Sequence, residues 1–325
     1  VKRFVPLLLM LLLTALLVLI APFFGVIHIS LDNLVQADRA HIFWSVRVPR
    51  VLLAFFVGAV LASCGYIYQA IFRNPLASPY TLGVSSGAAV GATIAMMLPA
   101  IHYFGGYGTS LGGVLGALVT IGVIMALGFM MRGDVSMRLL LAGVVLSFFL
   151  SSIVLFLQYI ADASQIMRMT RWLMGSMEVV GYETVIVIAV ISLLMLVVGM
   201  KRADELTLMS IDTEYAKTKG VAVEQIMYEQ FFMTSLAIGL VVSCCGPIGF
   251  IGIAVPYIAR GLLGYHLRYQ LFISYLAGGC LLLLCDTFAR VVIAPAEIPV
   301  GVITALLASP WVLLIIVRRG RFGTP

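Results

Sequence analysis

Long apolar runs broken by short polar segments dominate the chain, and their length carries more information than their periodicity. A membrane-crossing helix needs about 20 predominantly apolar residues. The stretches that approach or meet this are 4–24, 51–72, 82–98, 110–131, 139–160, 184–200, 226–245, 249–263, 270–290 and 301–317. The pattern predicts an all-α, polytopic membrane helix bundle of about ten transmembrane helices, in a single domain over residues 1–325. Two boundaries rest on breaks rather than charges. Residues 74–131 contain no Asp, Glu, Lys or Arg and must hold two spans, divided at the Gly- and aromatic-rich segment from Pro99 to Gly108. Residues 230–259 are equally free of those charges, too long for one span and short for two, with the break at Cys245-Gly246-Pro247. Short or broken helices persist in lipid only where protein or a water-filled cavity covers the backbone.

Composition removes the soluble alternatives. The 325 residues are 62% hydrophobic and 10% charged, against roughly 25% charged in soluble domains. A net charge of +6 does not point to nucleic acid, because the basic residues occupy short loops and form no patch with interleaved aromatics. Those loops set a topology. With the N-terminus inside, the inner side receives Lys2, Arg3, Arg73, Arg132, Arg138, Lys201, Arg202, Lys217, Lys219, Arg260, Arg268, Arg318, Arg319 and Arg321. The outer side receives only Arg39, Arg47, Arg50, Arg168, Arg171 and Arg290 of the 20. The bias favours both termini in the cytoplasm and an even number of spans. Lys2-Arg3 before an apolar run resembles a signal peptide. The run extends to about Ile27 with no clear cleavage site, so it reads as a retained first span.

Small residues recur at helical spacing, as in Gly58-Ala62-Gly65, Gly83-Gly87-Gly91, Gly112-Gly116 and Gly278-Gly279. They allow close helix approach in lipid and imply a compact bundle. Candidate chemistry is sparse. The sequence has no G-x-x-x-x-G-K-[ST] phosphate loop, no H-E-x-x-H and no G-x-S-x-G. His28, His41, His102 and His266 are scattered, and Cys64, Cys244, Cys245, Cys280 and Cys285 lie in apolar runs without metal-ligand spacing. No catalytic residue, cofactor or metal is expected.

Four polar features remain. The loop 201–225 is the longest polar stretch and contains Glu214-Tyr215-Ala216-Lys217-Thr218-Lys219-Gly220, with Gly220 placed to end a short helix. It is either a solvated connector or a docking helix for a soluble partner. Two proline pairs, in Arg73–Pro79 and Ala294–Gly301, predict rigid turns near the bilayer surface. Asp286 and Arg290 stand at i, i+4 in one span and can neutralise each other, as a structural or a functional pair. Arg47 and Arg50, with Arg290, form either a basic outer rim or snorkelling anchors.

Several blocks together resemble the permease family of type II ABC importers, which handles iron-siderophores, haem and cobalamin. They are Arg47-Val48-Pro49-Arg50, Gly58, Gln69, Phe72–Ala77, Leu82–Ala88, Arg138–Gly143, Trp172–Ser176, Gly246–Gly252, Val255-Pro256, Ala259-Arg260 and Ala294–Gly301. They run in family order from about residue 44 to 317. The resemblance implies a type II ABC importer permease fold in a bacterial or archaeal cytoplasmic (inner) membrane. It implies a homodimer with the pathway at its axis, two cytoplasmic ATPase subunits and an extracytoplasmic substrate-binding protein. It also implies an inverted repeat of four-helix units, which the sequence itself does not display. Carried over by position, Glu214, Ala216 and Gly220 would couple to the ATPase, and Arg47, Arg50 and Arg290 would pair with acids on the binding protein. Asn74, Leu76, Ser136 and Met137 would form the cytoplasmic gate, and Ser147 and Ser151 would line the pathway. The sequence departs from the family at Tyr257, where His is frequent, and at His266-Leu267-Arg268, where Asp-His-Arg is frequent.

The expected activity is alternating-access import, with ATP hydrolysis in a separate subunit. A secondary transporter would carry midplane carboxylates for ion coupling, and an intramembrane enzyme would carry a paired nucleophile and base. The apolar spans offer neither. The substrate is left open.

Overall fold

The computed structural model describes residues 4–25, 29, 36–78, 80–98, 107–263 and 267–321. Lys2, Arg3, His28, His102, His266 and most of the predicted break at 99–108 lie outside the described residues. Helix α1 (Phe4–Ile20) ends in a 3-10 turn, Ala21–Phe23. Helix α2 (Ala37–Ile42) passes through a π-helical turn, Phe43–Arg47, into α3 (Val48–Ile71). Then follow α4 (Val84–Met97), α5 (Gly108–Met130), α6 (Val135–Ile160), α7 (Ala163–Leu173) and α8 (Glu183–Lys201). The remaining helices are α9 (Ala203–Ile211), α10 (Thr213–Thr218), α11 (Val223–Cys245), α12 (Ile251–Leu263), α13 (Leu267–Val291) and α14 (Val300–Arg321). Among the described residues there is no strand.

Each predicted span coincides with a helix, its bounds moved by a few residues. Among the described residues six helices are long and apolar enough to cross a membrane by length and composition, whereas α1, α4 and α12 have only 17, 14 and 13 residues. The loop 201–225, expected to hold one short helix, holds two, α9 and α10. Gly220 ends α10 as its position suggested. Its φ is +82°, its N–H reaches the Lys217 carbonyl at 2.9 Å, and the Val221 N–H reaches the Ala216 carbonyl at 3.1 Å. This is the paired-bond C-terminal motif that a left-handed glycine permits.

Helix α3 is the axis of the bundle. Its side chains are buried along nearly the whole length, packed by α8, α11, α12 and α13. The glycines set how close those neighbours come. A Cβ on Gly58 would lie 2.2 Å from the Gly278 carbonyl oxygen, and one on Gly65 would lie 2.0 Å from that of Gly252. Lipid tails are as apolar as the side chains, so van der Waals contact and hydrogen bonds must hold the helices together. The buried polar side chains supply the latter. The Tyr68 hydroxyl meets Ser235 at 2.7 Å, Tyr66 bonds Gln270, and the Ser192 hydroxyl donates to Tyr275 at 2.9 Å. Gln69 donates to the Gly252 carbonyl at 3.2 Å, which fixes the first turn of the short α12 against α3.

The packing has an internal symmetry. Helix α3 packs on α13 and α12 as α11 packs on α5 and α4, and the α4–α5–α6 group is matched by α12–α13–α14. Arg50 at the start of α3 and Cys244 at the end of α11 line one cleft, so the two packed helices are antiparallel. The two four-helix units, α3–α6 and α11–α14, are therefore inverted relative to each other.

Replacing Gly58 or Gly65 with alanine is expected to destabilise the bundle by roughly 1–3 kcal/mol through overpacking. Gly122, where an added Cβ would meet nothing within 4 Å, should tolerate alanine within about 0.5 kcal/mol. Thermal unfolding of the detergent-solubilised protein measures both.

Candidate functional site

Two stretches of non-helical backbone lie within the bundle. The first follows α3. Arg73 takes φ 48°, Asn74 Oδ1 accepts from the Leu76 N–H at 2.9 Å, and the Ser78 carbonyl accepts from the Thr81 N–H at 3.1 Å. The second joins α11 to α12, with φ 71° at Gly246 and 67° at Phe250. The second is largely enclosed, with Gly246, Pro247 and Ile248 buried, whereas the first, from Arg73 to Thr81, is buried among the described residues only at Ala77 and Ser78 and largely exposed around them. They face one cavity of about 570 Å³. Ser78, Tyr80 and Thr81 line it from the first stretch and Pro247, Gly249 and Phe250 from the second. Leu173 and Met174 at the end of α7, Ile253 of α12, and Gly301, Val302, Ala305 and Leu306 of α14 complete the wall, which carries no charged side chain. The predicted break at Cys245-Gly246-Pro247 thus shares a cavity with the proline-containing turn after α3, in keeping with the need of irregular backbone for cover in lipid.

The serines assigned to a pathway stand together on one side of α4 and α6. The hydroxyls of Ser86 and Ser147 are 3.1 Å apart, and Ser151 stands one turn further along, 3.5 Å from Ser86. Ser151 is exposed and Ser147 half-buried. Exposed Val145, Phe148, Phe149 and Phe156 share α6 with them.

At one end of the bundle the three arginines of the expected rim turn inward. Asp286, fully buried, gives one oxygen to Arg50 at 3.0 Å and the other to Arg290 at 3.1 Å. Arg50 also reaches Glu297 at 2.8 Å. Arg47, just 7% exposed, donates to the carbonyls of Pro22 and Phe23 at 3.1 and 3.3 Å. Arg290, 4% exposed, donates to that of Phe24 at 3.2 Å. Asp286 and Arg290 form the ion pair their spacing suggested, with Arg50 as a third member. Arginine suits this arrangement, because its planar fork serves a carboxylate and a carbonyl together. The π-helical turn places Arg47 and Arg50 at the start of α3; such turns are frequent at functional sites.

Helix α3, of 24 residues, separates this end from the other by about 36 Å. There lies the α9–α10 hairpin, whose α9 packs on α3 and α13. Asp212 caps α10 by accepting from the Tyr215 N–H at 2.8 Å. Ala216 is fully buried, whereas Ile211, Glu214 and Tyr215 are exposed. Glu214 binds Lys217 at 2.8 Å, and this hydrogen bond holds the Lys217 ammonium above its ordinary pKa. One segment carrying assigned gate residues approaches α10: Arg73, next to Asn74 and Leu76, is 3.9 Å from Asp212. The other begins at Asp134, which caps α6 through the Met137 N–H at 3.1 Å. Leu76 and Met137 are exposed, Asn74 is half-buried and Ser136 is buried.

Sequence reasoning passed over α7. Its signal was present: Asp162 and Gln165 form a capping box, a readable N-terminal signature. The partnership of Arg50 with Asp286 had no local signal, since 236 residues separate them.

An inverted helical bundle with a membrane-depth cavity between its broken helices defines a multi-pass permease with the fold of type II ABC importers. The chain belongs to the FecCD transport family, whose model matches residues 10–318. It is 39% identical to the hemin transport system permease protein HmuU of Yersinia pestis, over 86% of this chain and 84% of that one. It is 35% identical to the vitamin B12 import system permease protein BtuC of Salmonella paratyphi A, over 83% of each. A solved structure of a metal-chelate type ABC transporter in an inward-facing conformation superposes with a TM-score of 0.86 at 30% identity, covering 95% of this chain and 97% of that one.

Removing Asp286 by alanine substitution leaves two guanidiniums without their buried counter-charge and is expected to cost about 3–5 kcal/mol. Glu297→Ala, at a side chain 39% exposed, should cost less than about 1 kcal/mol. Denaturant or thermal unfolding of the purified protein distinguishes the two.

Proposed function

We propose that this chain is the membrane subunit of an ABC importer for a metal-chelate type substrate, in the class of iron-siderophores, haem or cobalamin. It acts as one membrane domain, residues 1–325, with 201–225 as its coupling loop. Two copies enclose a shared pathway, lined in part by Ser147 and Ser151. The exposed apolar face of α6, with Phe148 and Phe149, supports a second copy there. Both termini are cytoplasmic, as the loop charges favour. The relatives named for hemin and vitamin B12 transport support the substrate class.

The observation that carries this reading is the match to the FecCD transport family along residues 10–318, and the approach of the α10 cap Asp212 to Arg73, 3.9 Å away and beside the assigned gate residues, supports the coupling role. Two ATP-binding cassette subunits would grip the hairpin around Glu214, Ala216 and Gly220. Movement of α10 would reach the gate at Asn74 and Leu76 through the Asp212–Arg73 pair, with Ser136 and Met137 as its other members. The opposite end, braced by Arg47, Arg50 and Arg290, receives a loaded substrate-binding protein. ATP binding and hydrolysis in the partner drive alternating access, and this chain contributes no bond chemistry. The wall of the 570 Å³ cavity carries no charged side chain, which favours release of cargo over tight capture.

Co-purification with the ATPase encoded beside this chain tests the assignment. Wild type should carry the ATPase in equal stoichiometry, and Gly220→Trp and Glu214→Arg should carry at least about tenfold less, as expected for a central contact. A wild-type chain that brings no ATPase in mild detergent would favour a secondary transporter instead.

A further inference from the structure

Three arginine–carboxylate pairs tie the α9–α10 hairpin to three different parts of the bundle. Asp212 meets Arg73 after α3, Asp204 meets Arg268 of α13, and Arg202 meets Glu229 of α11. They are not equal. The Arg73 contact is long, at 3.9 Å, between exposed side chains. The Arg268 contact is 3.1 Å but more exposed still. Exposed pairs contribute little and are screened by salt. Arg202 and Glu229 are half-buried, and their contact is two-pronged. Nη2 donates to Glu229 Oε2 at 2.7 Å and Nε to Oε1 at 3.3 Å. Such a fork fixes direction as well as distance. The remaining Nη1 donates to Glu205 at 3.4 Å, so a single guanidinium bridges α9 and α11.

The backbone holds that guanidinium in place. Arg202 stands at the corner between α8 and α9. Its N–H bonds the Val198 carbonyl at 3.3 Å, and its carbonyl accepts from the Leu206 N–H at 2.9 Å. Ala203, Leu206 and Met209 of α9 are fully buried, and α9 is packed on α10. A displaced hairpin therefore carries its corner with it. On the other side of the joint, the 23 residues of α11 form a rod of about 34 Å. The rod ends at Gly246, where the backbone turns into the wall of the cavity. Next to Glu229, Gln230 is fully buried, and neither atom of its amide has a hydrogen-bond partner. Helix α11 gives up no side-chain hydrogen bond at that residue when it shifts.

Resting on the importer reading above, we infer that Arg202 is a positioning residue that joins the hairpin to α11, so that motion imposed by the ATPase reaches the cavity along α11. This route is separate from the Asp212–Arg73 approach to the gate segment after α3. Coupling over such a distance needs a stiff element with a defined joint at its end, and the Arg202–Glu229 fork is the firmest of the three joints.

The test uses the assembled permease–ATPase complex in nanodiscs. Hydrogen–deuterium exchange is read at 213–218 and at 223–232, without nucleotide and after trapping with ATP and vanadate. In the wild type, trapping should change exchange in both segments. In Arg202→Gln and Glu229→Gln the response at 213–218 should persist, and that at 223–232 should fall at least about fivefold, the lower end of typical coupling between sites. The swap R202E/E229R should restore most of the response, because it rebuilds the pair with its charges exchanged. Arg268→Gln, which removes an exposed pair, should respond as wild type does. Glu229→Gln should co-purify as much ATPase as wild type, which establishes that it folds. An undiminished response at 223–232 in both single variants overturns the inference. So does an equal loss in Arg268→Gln, which assigns the effect to the general charge of the hairpin. So does raised exchange at 223–232 already present without nucleotide and not repaired by the swap, which reduces the pair to a structural tie. A wild type that carries no ATPase refutes the importer reading itself, whereas one that carries it and shows no response at 223–232 refutes this inference alone.

Discussion

A backbone surrounded by hydrocarbon must satisfy its own N–H and C=O groups, and every other feature of this chain follows from how it does so. Regular helix is the default. Departures from it occur at 72–83 and 246–250, and both are covered by other parts of the protein or open onto a shared cavity. The constraint thus brings two irregular stretches of backbone to the wall of one cavity. It also accounts for the glycine seams: where backbone meets backbone between α3, α12 and α13, contact area and hydrogen bonds must supply the cohesion that water supplies elsewhere.

The two ends solve different problems. Around Asp286, charge is drawn inward and neutralised, and the carbonyls of Pro22, Phe23 and Phe24 that leave α1 receive guanidinium donors. Buried ion pairs rarely add net stability over apolar packing, but they fix register. Here the register ties α1, α3 and α13 together at one level. At the other end most charges are exposed, weakly paired and grouped on a hairpin, an arrangement suited to contact with a soluble protein.

How far the sequence could be read depended on the range of each interaction. The spans were legible because apolar length is a local property. So were the Asp286–Arg290 pair, at one helical turn, and the terminating Gly220, whose left-handed conformation needs no side chain nearby. Helix α7 carried a readable cap but is too short and polar to register among membrane spans. The inverted repeat was hidden because it is a symmetry of packing, and apolar side chains exchange freely while preserving it. The third member of the ion cluster, Arg50, and the convergence of two irregular stretches on one cavity depend on contacts hundreds of residues apart. Neither leaves a trace in a local pattern.

The cavity wall has an evolutionary consequence. Its shape is set by main-chain geometry, chiefly the positive φ angles near Arg73, Gly246 and Phe250, while side chains such as Tyr80, Met174, Phe250 and Leu306 merely decorate it. Those decorations can be exchanged one at a time without breaking a backbone hydrogen bond. Under the importer reading proposed above, a lineage built on this chassis could drift from one cargo to another by point substitution in that wall.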